Sequence, residues 1–292
     1  MRQVVKLHCR GKAGLFGLLL AATLLLAGCR QSVSPTPRRI LFIGDSTTFW
    51  NQGVNAHLAA MAASDDPPLK LETDSVTKGG TSLAKLWEDT NAVETIRNGH
   101  WDIVVLQDDL IKGPRDAWPQ QREDFLVAVR KFDQEIRQTG AKTALFMPWV
   151  YTIYTIKNIA IPMEDLEDSA KAYREIGKEL DAKVIPVGLA WQQVTFQQPT
   201  LNLYDTDGEH PNIKGTFLDT CMHYIALFGA SVHCAQYQPE SLIPSPDTIS
   251  SKALARDMER LRETFVIPAE ERAFLEKIAH ETVAAQAETT QR

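Results

Sequence analysis

Short apolar runs alternate with longer stretches of helical spacing over most of the chain. Residues 39–44, 102–107 and 142–147 are nearly continuous runs of branched, aromatic and other apolar side chains, the pattern of strands covered on both faces. Residues 69–76 alternate, and 183–187 form a further short run, so both read as strands. Between the runs, apolar residues recur three and four apart. The spacing predicts helices over 54–63, over 82–98 through Leu83, Leu86, Val93 and Ile96, over 119–139 with Gly140 as a stop, and over 163–180. A long apolar-faced helix is expected over 213–228, closed by Gly229. Strands separated by helices need right-handed crossovers, so the expected fold class is α/β, a three-layer α/β/α sandwich around a parallel sheet.

The two ends of the chain break this rhythm. Arg2, Lys6, Arg10 and Lys12 precede an uncharged stretch, 13–26, which is short for a bilayer span. That is the layout of a secretory signal. It ends Leu26-Ala27-Gly28-Cys29, a tetrad that resembles the bacterial lipobox. The resemblance implies removal of residues 1–28, lipidation of Cys29 and a lipid-anchored place in the bacterial cell envelope. Arg30, not Asp, fits outer-membrane sorting in a two-membrane host by the same resemblance. Residues 29–38 are polar and Pro-rich and read as a tether. Residues 39–235 hold the sheet domain. From 236 onward Pro239, Pro244 and Pro246 mark an irregular stretch before two charged helices near 250–263 and 268–285. Some 50 residues make only a marginal core alone, so this helical extension is expected to pack back on the domain, with a frayed tail.

Composition narrows the classes further. The 292 residues are 44% hydrophobic and 23% charged, a globular balance that excludes whole-chain disorder and coiled coil. Net charge is −6, and cutting before Cys29 removes four bases and no acids, so the mature balance is −10. That argues against nucleic acid as a partner and leaves the lipid as the membrane contact. Cys221 and Cys234 remain in the body; export permits a disulfide, and an apolar helix face equally suits buried thiols.

Ligands of open parallel sheets bind beyond the carboxyl ends of the strands. The residues there are Gly44-Asp45-Ser46, Lys78-Gly79-Gly80, and Gln107-Asp108-Asp109. Far downstream comes Asp207-Gly208-Glu209-His210-Pro211. A serine hydroxyl on a strand-to-helix turn needs a base within hydrogen-bond reach. His57, His223 and His280 fall inside helices, where packing roles prevail; His100 precedes a strand, at its wrong end, and His233 lies past the last sheet-domain helix near the other face. His210 alone follows a carboxylate by three positions, with Pro211 keeping it out of helical geometry. Asp207 can then hold one imidazole nitrogen while the other faces Ser46, the base-plus-orienter arrangement of a hydrolytic triad.

Gly44-Asp45-Ser46 together with Asp207-x-x-His210 resembles the GDSL/SGNH hydrolase superfamily, over about residues 38–235. The resemblance implies a flavodoxin-like parallel sheet and a catalytic Ser46, Asp207 and His210. It implies an oxyanion hole from the N–H groups of Ser46 and Gly80, with Gly79 as the alternative by one register. The family's third block, Gly-x-Asn-Asp, is altered here; Gln107 offers the same amide donor on a longer arm, or serves as a strand-end structural residue. No cofactor is implied. The substrate class implied is a short acyl ester, most simply an O-acetyl group on carbohydrate. Trp50, Trp118 and Trp149 fall near loops or helix starts and read as cleft edges, with core packing the commoner role for most such residues. Other readings of the same residues are a glycan-binding lipoprotein on this fold, or an O-acyltransferase. A metal at Asp205, Asp207, Glu209 and His210 is disfavoured by the spacing. Neither glycine-rich phosphate loop nor Gly-x-Ser-x-Gly elbow occurs.

Overall fold

A computed structural model of the chain describes residues 36–111, 115–151, 163–229, 233–245 and 251–291. The signal segment, Cys29 and nearly all of the tether lie outside the described residues. Among the described residues the strands are β1 (Arg39–Gly44), β2 (Glu72–Thr77), β3 (Ile103–Gln107), β4 (Lys142–Phe146) and β5 (Lys183–Ile185). They form a wholly parallel sheet in the order β2-β1-β3-β4-β5. This is the flavodoxin-like order, with its switch point between β1 and β3.

The period of two along each strand sorts the core into two layers. Ile40 and Phe42 of β1 face one side with Val105 and Phe146. Helices α2 (Val54–Ala63), α7 (Val187–Gln197), α8 (Ile213–Phe228) and α10 (Ala269–Gln291) cover that side through Leu58, Trp191, Phe217 and Ile278. Leu41 and Ile43 face the other side with Val104, Leu106 and Leu145. There α3 (Leu83–Asp89), α4 (Ala92–Asn98), α5 (Trp118–Gln138) and α6 (Met163–Glu179) close the layer through Leu86, Ile96, Phe132 and Tyr173. Both faces of β1 and β3 are therefore dry, which is why those strands read as unbroken apolar runs. The described residues from 37 onward form one compact unit. Among the described residues no helix is long and apolar enough to cross a membrane.

Three local expectations need correction. The helix expected over 82–98 is two helices. Thr90 leaves helical geometry at φ −132, ψ 173, and its hydroxyl accepts from Ala92 N–H to start the second one. The last strand stops at Ile185, because Pro186 ends the ladder and opens α7. The apolar positions Val187, Ala190, Trp191 and Val194 carry the helical spacing that marks α7. The final helix runs on past Ala285 to Gln291.

In the C-terminal stretch, α10 lies on α8 with Leu275, Ile278 and Ala279 fully buried. The Glu276 carboxylate accepts from Cys234 and Ala235 N–H, and Lys214 pairs with Glu271 at 2.7 Å. By contrast α9 (Lys252–Thr264) buries none of its residues fully. Cys221 and Cys234 are buried free thiols, with Cys234 Sγ 3.9 Å from the Cys221 carbonyl.

Candidate active site

Strand register brings four strand-end segments to one sheet edge. Gly44 pairs with Thr77, Ile43 with Leu106, and Gln107 with Phe146, so the residues after β1, β2, β3 and β4 emerge side by side. The chain leaves β1 through Asp45, which caps a short helix α1 (Ser46–Phe49) by accepting from Thr47 N–H and Thr47 Oγ1. Ser46 is thus the first residue of a helix, 7% exposed.

Gln107 sets that turn from the neighbouring strand. Its Oε1 accepts from Asp45 N–H at 2.7 Å and from Thr48 Oγ1 at 3.0 Å. Since the Asp45 amide can only donate, the carboxamide orientation is determined. Gly44 is needed for the fit, because a Cβ there would come within 2.3 Å of Thr48 Oγ1 and 2.4 Å of Gln107 Oε1. Gln107 Nε2 is buried and has no hydrogen-bond partner. An unpaired buried N–H₂ group is costly in a native fold unless something else takes the bond. The carboxamide therefore does a structural job with its oxygen and leaves a buried N–H₂ group unpaired.

The imidazole comes from the loop between α7 and α8. Tyr204 bridges to Pro211, and Asp205 N–H donates to the His210 carbonyl at 2.8 Å. Gly208, at φ +70, turns the chain between them. Asp207 Oδ1 accepts from the N–H groups of Glu209 and His210, and Oδ2 stands 2.7 Å from His210 Nδ1. His210 Nε2 lies 2.8 Å from Ser46 Oγ. An ionised carboxylate can only accept, so Nδ1 carries the hydrogen and Nε2 is the free acceptor facing the serine hydroxyl. Partial burial pushes the Asp207 carboxyl up. The hydrogen bonds from the His210 ring and the two backbone amides outweigh it and hold the group below the usual carboxylate range. The His210 side chain is 14% exposed and that of Asp207 41%.

The remaining sequence candidates are arranged as follows. Gly80 lies past the end of β2 at φ +67 and is exposed. Its loop is braced from the residue after β3, Asp108, whose Oδ2 accepts from Leu83 N–H at the start of α3. Trp50 stacks on His210, with centroids 3.8 Å apart and planes at 10°. Trp149, in contrast, is buried, stacked at 4.0 Å on Trp191, and its Nε1–H donates to the Glu209 carbonyl. Trp118 lines a cavity of about 580 Å³ with Leu110, Arg115 and Arg122. Among the described residues no group of three His, Cys, Asp or Glu side chains is placed to hold a metal ion. Sequence reasoning missed the buried neighbours of the site. Asp109 bonds to the hydroxyl of Tyr151, and burial, with the charges of Asp109, Asp45 and Glu209, pushes that phenol well up. Asp109 stands in the strand-end stretch Gln107-Asp108-Asp109, but nothing there points to Tyr151, so only the fold reveals the pair.

A parallel sheet in this order, with serine, imidazole and carboxylate meeting at its carboxyl edge, defines an SGNH-type α/β/α fold. No family model and no curated protein matches the chain. Solved structures do. The chain is similar to a candidate SGNH hydrolase from Slackia heliotrinireducens, at 22% identity and TM-score 0.53, over 65% of this chain and 98% of that one. It is also similar to a candidate GDSL-like lipase from Parabacteroides merdae, at 17% identity and TM-score 0.51, over 65% and 94%. A catalytic mutant of an acetylxylan esterase from Geobacillus stearothermophilus matches at 15% identity and TM-score 0.50, over 65% and 94%. The chain therefore has the fold of the SGNH/GDSL hydrolases.

Proposed function

We propose that this protein is a serine esterase that cleaves short acyl groups, most simply O-acetyl groups on carbohydrate, by two acyl transfers. The observation that carries the reading is the relay of 2.8 Å from Ser46 Oγ to His210 Nε2 and 2.7 Å from His210 Nδ1 to Asp207. His210 Nε2 takes the Ser46 proton as Oγ attacks the ester carbonyl, and Asp207 holds the tautomer and supports the imidazolium. The proton then passes to the leaving alcohol. Water, deprotonated by the same nitrogen, releases the acid and restores Ser46. The oxyanion is held by the Ser46 and Gly80 N–H groups and by Gln107 Nε2, whose buried donor is otherwise unpaired. The similarity to an acetylxylan esterase supports a carbohydrate ester. A lipid on Cys29 would hold the enzyme in the bacterial envelope, through the tether of residues 29–38.

The full chain in detergent, offered an aryl acetate and an acetylated glycan, is expected to release acetate, and Ser46→Ala to abolish that release. Equal inertness of both forms, with glycan binding retained, would replace the esterase by a binding protein on the same fold. Transfer of the acetyl group to a sugar hydroxyl in preference to water would make the protein an acyltransferase.

A further inference from the structure

The triad alone leaves Trp50 without a task. Its indole lies parallel to the His210 ring, 3.8 Å away, a stacking distance that covers one whole face of the imidazole. Its Nε1–H donates to Asp205 Oδ2 at 3.2 Å. Asp205 N–H in turn donates to the His210 carbonyl. One side chain from the nucleophile segment is thus tied to the base loop at two points.

The backbone that brings Trp50 there is strained. Asn51, Gln52 and Gly53 have φ +50, +76 and +88, three left-handed residues in a row, of which two are not glycine. Such a run persists only where the surroundings over-determine it. Asn51 Nδ2 donates to the Pro211 carbonyl and to Thr216 Oγ1, each at 2.9 Å. His57 Nε2–H donates to the Asn51 carbonyl at 2.8 Å, and His57 Nδ1 accepts from the Tyr237 hydroxyl at 2.8 Å. Segment 50–53 is therefore pinned on one side to the residue after His210 and on the other to a buried histidine.

We propose that Trp50 is a positioning residue, whose ring sets the plane of the His210 imidazole and whose own place is set by the Asn51 clamp. The hydrogen bond that His210 Nδ1–H donates to Asp207 anchors one ring atom but leaves the ring free to swing about it, and the Asp207 side chain is open to water. A flat surface against the imidazole removes that freedom. Nε2 then points at Ser46 Oγ before any substrate arrives. Misplacement of a reacting group by about 1 Å can cost on the order of 10²-fold in rate. The proposal rests on the acyl-transfer reading of Ser46 and His210.

The test uses the full chain in detergent and a fluorophosphonate, which labels an activated serine whatever the natural ester is. Labelling rate, kcat and KM on a short aryl ester, and the melting temperature are compared for wild type, Trp50→Leu, Trp50→Phe and Asn51→Gly. Trp50→Leu is expected to label roughly 10–10²-fold more slowly and to lose kcat by the same factor, with KM unchanged. Trp50→Phe, which keeps a ring but not the N–H, is expected to recover most of the rate. Asn51→Gly relieves the strained backbone and removes the clamp, so it is expected to slow labelling without loss of melting temperature. Wild-type rates in Trp50→Leu or in Asn51→Gly overturn the proposal. So does a loss confined to KM, or a Phe variant as slow as the Leu variant. A wild-type chain that is not labelled at Ser46 overturns the acyl-transfer reading itself, whereas equal labelling of all four chains overturns only the role of Trp50.

Discussion

The turn that carries Ser46 and the loop that carries His210 are held in opposite ways. From Gly44 to Thr48 every residue is buried, and the turn is locked by Gln107 from the adjacent strand. From Tyr204 to His210 only Gly208 is buried, and the loop is shaped by its own short hydrogen bonds through Asp205 and Asp207. The first region is part of the core and inherits its rigidity from close packing. The second depends on a few polar contacts and on what leans against it from outside, Trp50 and Asn51. Chemistry and stability should therefore be coupled at Gln107, which locks the serine turn, and separable on the histidine side.

Four measurements bear on that contrast. Ser46→Ala removes the proposed nucleophile without disturbing its neighbours. Turnover of an aryl acetate should fall by roughly 10⁴–10⁶ with an unchanged melting temperature. Asp207→Asn disturbs only the open loop. A loss of about 10²–10⁴ in kcat is expected from the wrong tautomer, with little change in melting because the side chain is solvated. A large drop in melting temperature would show that the loop is not separately held.

Gln107→Ala strikes the locked side, and both properties should suffer together. Rate should fall by roughly 10²–10³ through loss of an oxyanion donor. Stability should fall by about 1–3 kcal/mol, because the buried Asp45 N–H loses its acceptor. Activity lost at full stability would break the coupling; stability lost at full activity would remove Gln107 from the oxyanion hole.

The smallest effect is expected in acid. His57 and His223 are held down to about 4 from 6.5, chiefly by burial, against the opposing hydrogen bonds to the Asn51 and Asp219 carbonyls. They stay neutral in the fold while the unfolded chain protonates them near 6.5. Each contributes stability that is present above pH 6.5 and is lost as pH falls toward 4. Denaturant midpoints between pH 6.5 and 5.5 should drop by the equivalent of about 1 kcal/mol for each histidine. His223→Gln should flatten that slope. Asp207 has the opposite sign: its depressed pKa contributes stability above the ordinary carboxylate value, lost only in stronger acid. Acid sensitivity between pH 6.5 and 4 thus belongs to the buried side, and an unchanged slope in His223→Gln would contradict that assignment.

How much of this was legible in the chain differs element by element. The β1 and β3 runs and the long α8 announce themselves because burial on two faces leaves no polar position to mask the pattern. Asp207 and His210 are legible for a local reason: three residues with a Gly and a Pro form a turn whose geometry hardly depends on the rest. Thr90 was not legible as a break, because a threonine in a helical pattern becomes a cap only when its hydroxyl finds the Ala92 amide. Trp149 was read among the cleft edges and lies in the core, since nothing in its neighbours says that Trp191 stacks on it.

The sequence by itself determined the alternation of strands and helices, the residue that presents a hydroxyl at a strand end, and the short turn that pairs an imidazole with a carboxylate. All of these follow from periodicity and from backbone preferences within a few positions. Only the tertiary structure decided that Ser46 and His210 meet across 164 positions. It also decided that Gln107 divides its amide between the turn and a buried, unpaired N–H₂ group, and that Trp50 and Asn51 brace the base. Those outcomes depend on strand order, register and close contact between distant segments, which no local pattern encodes.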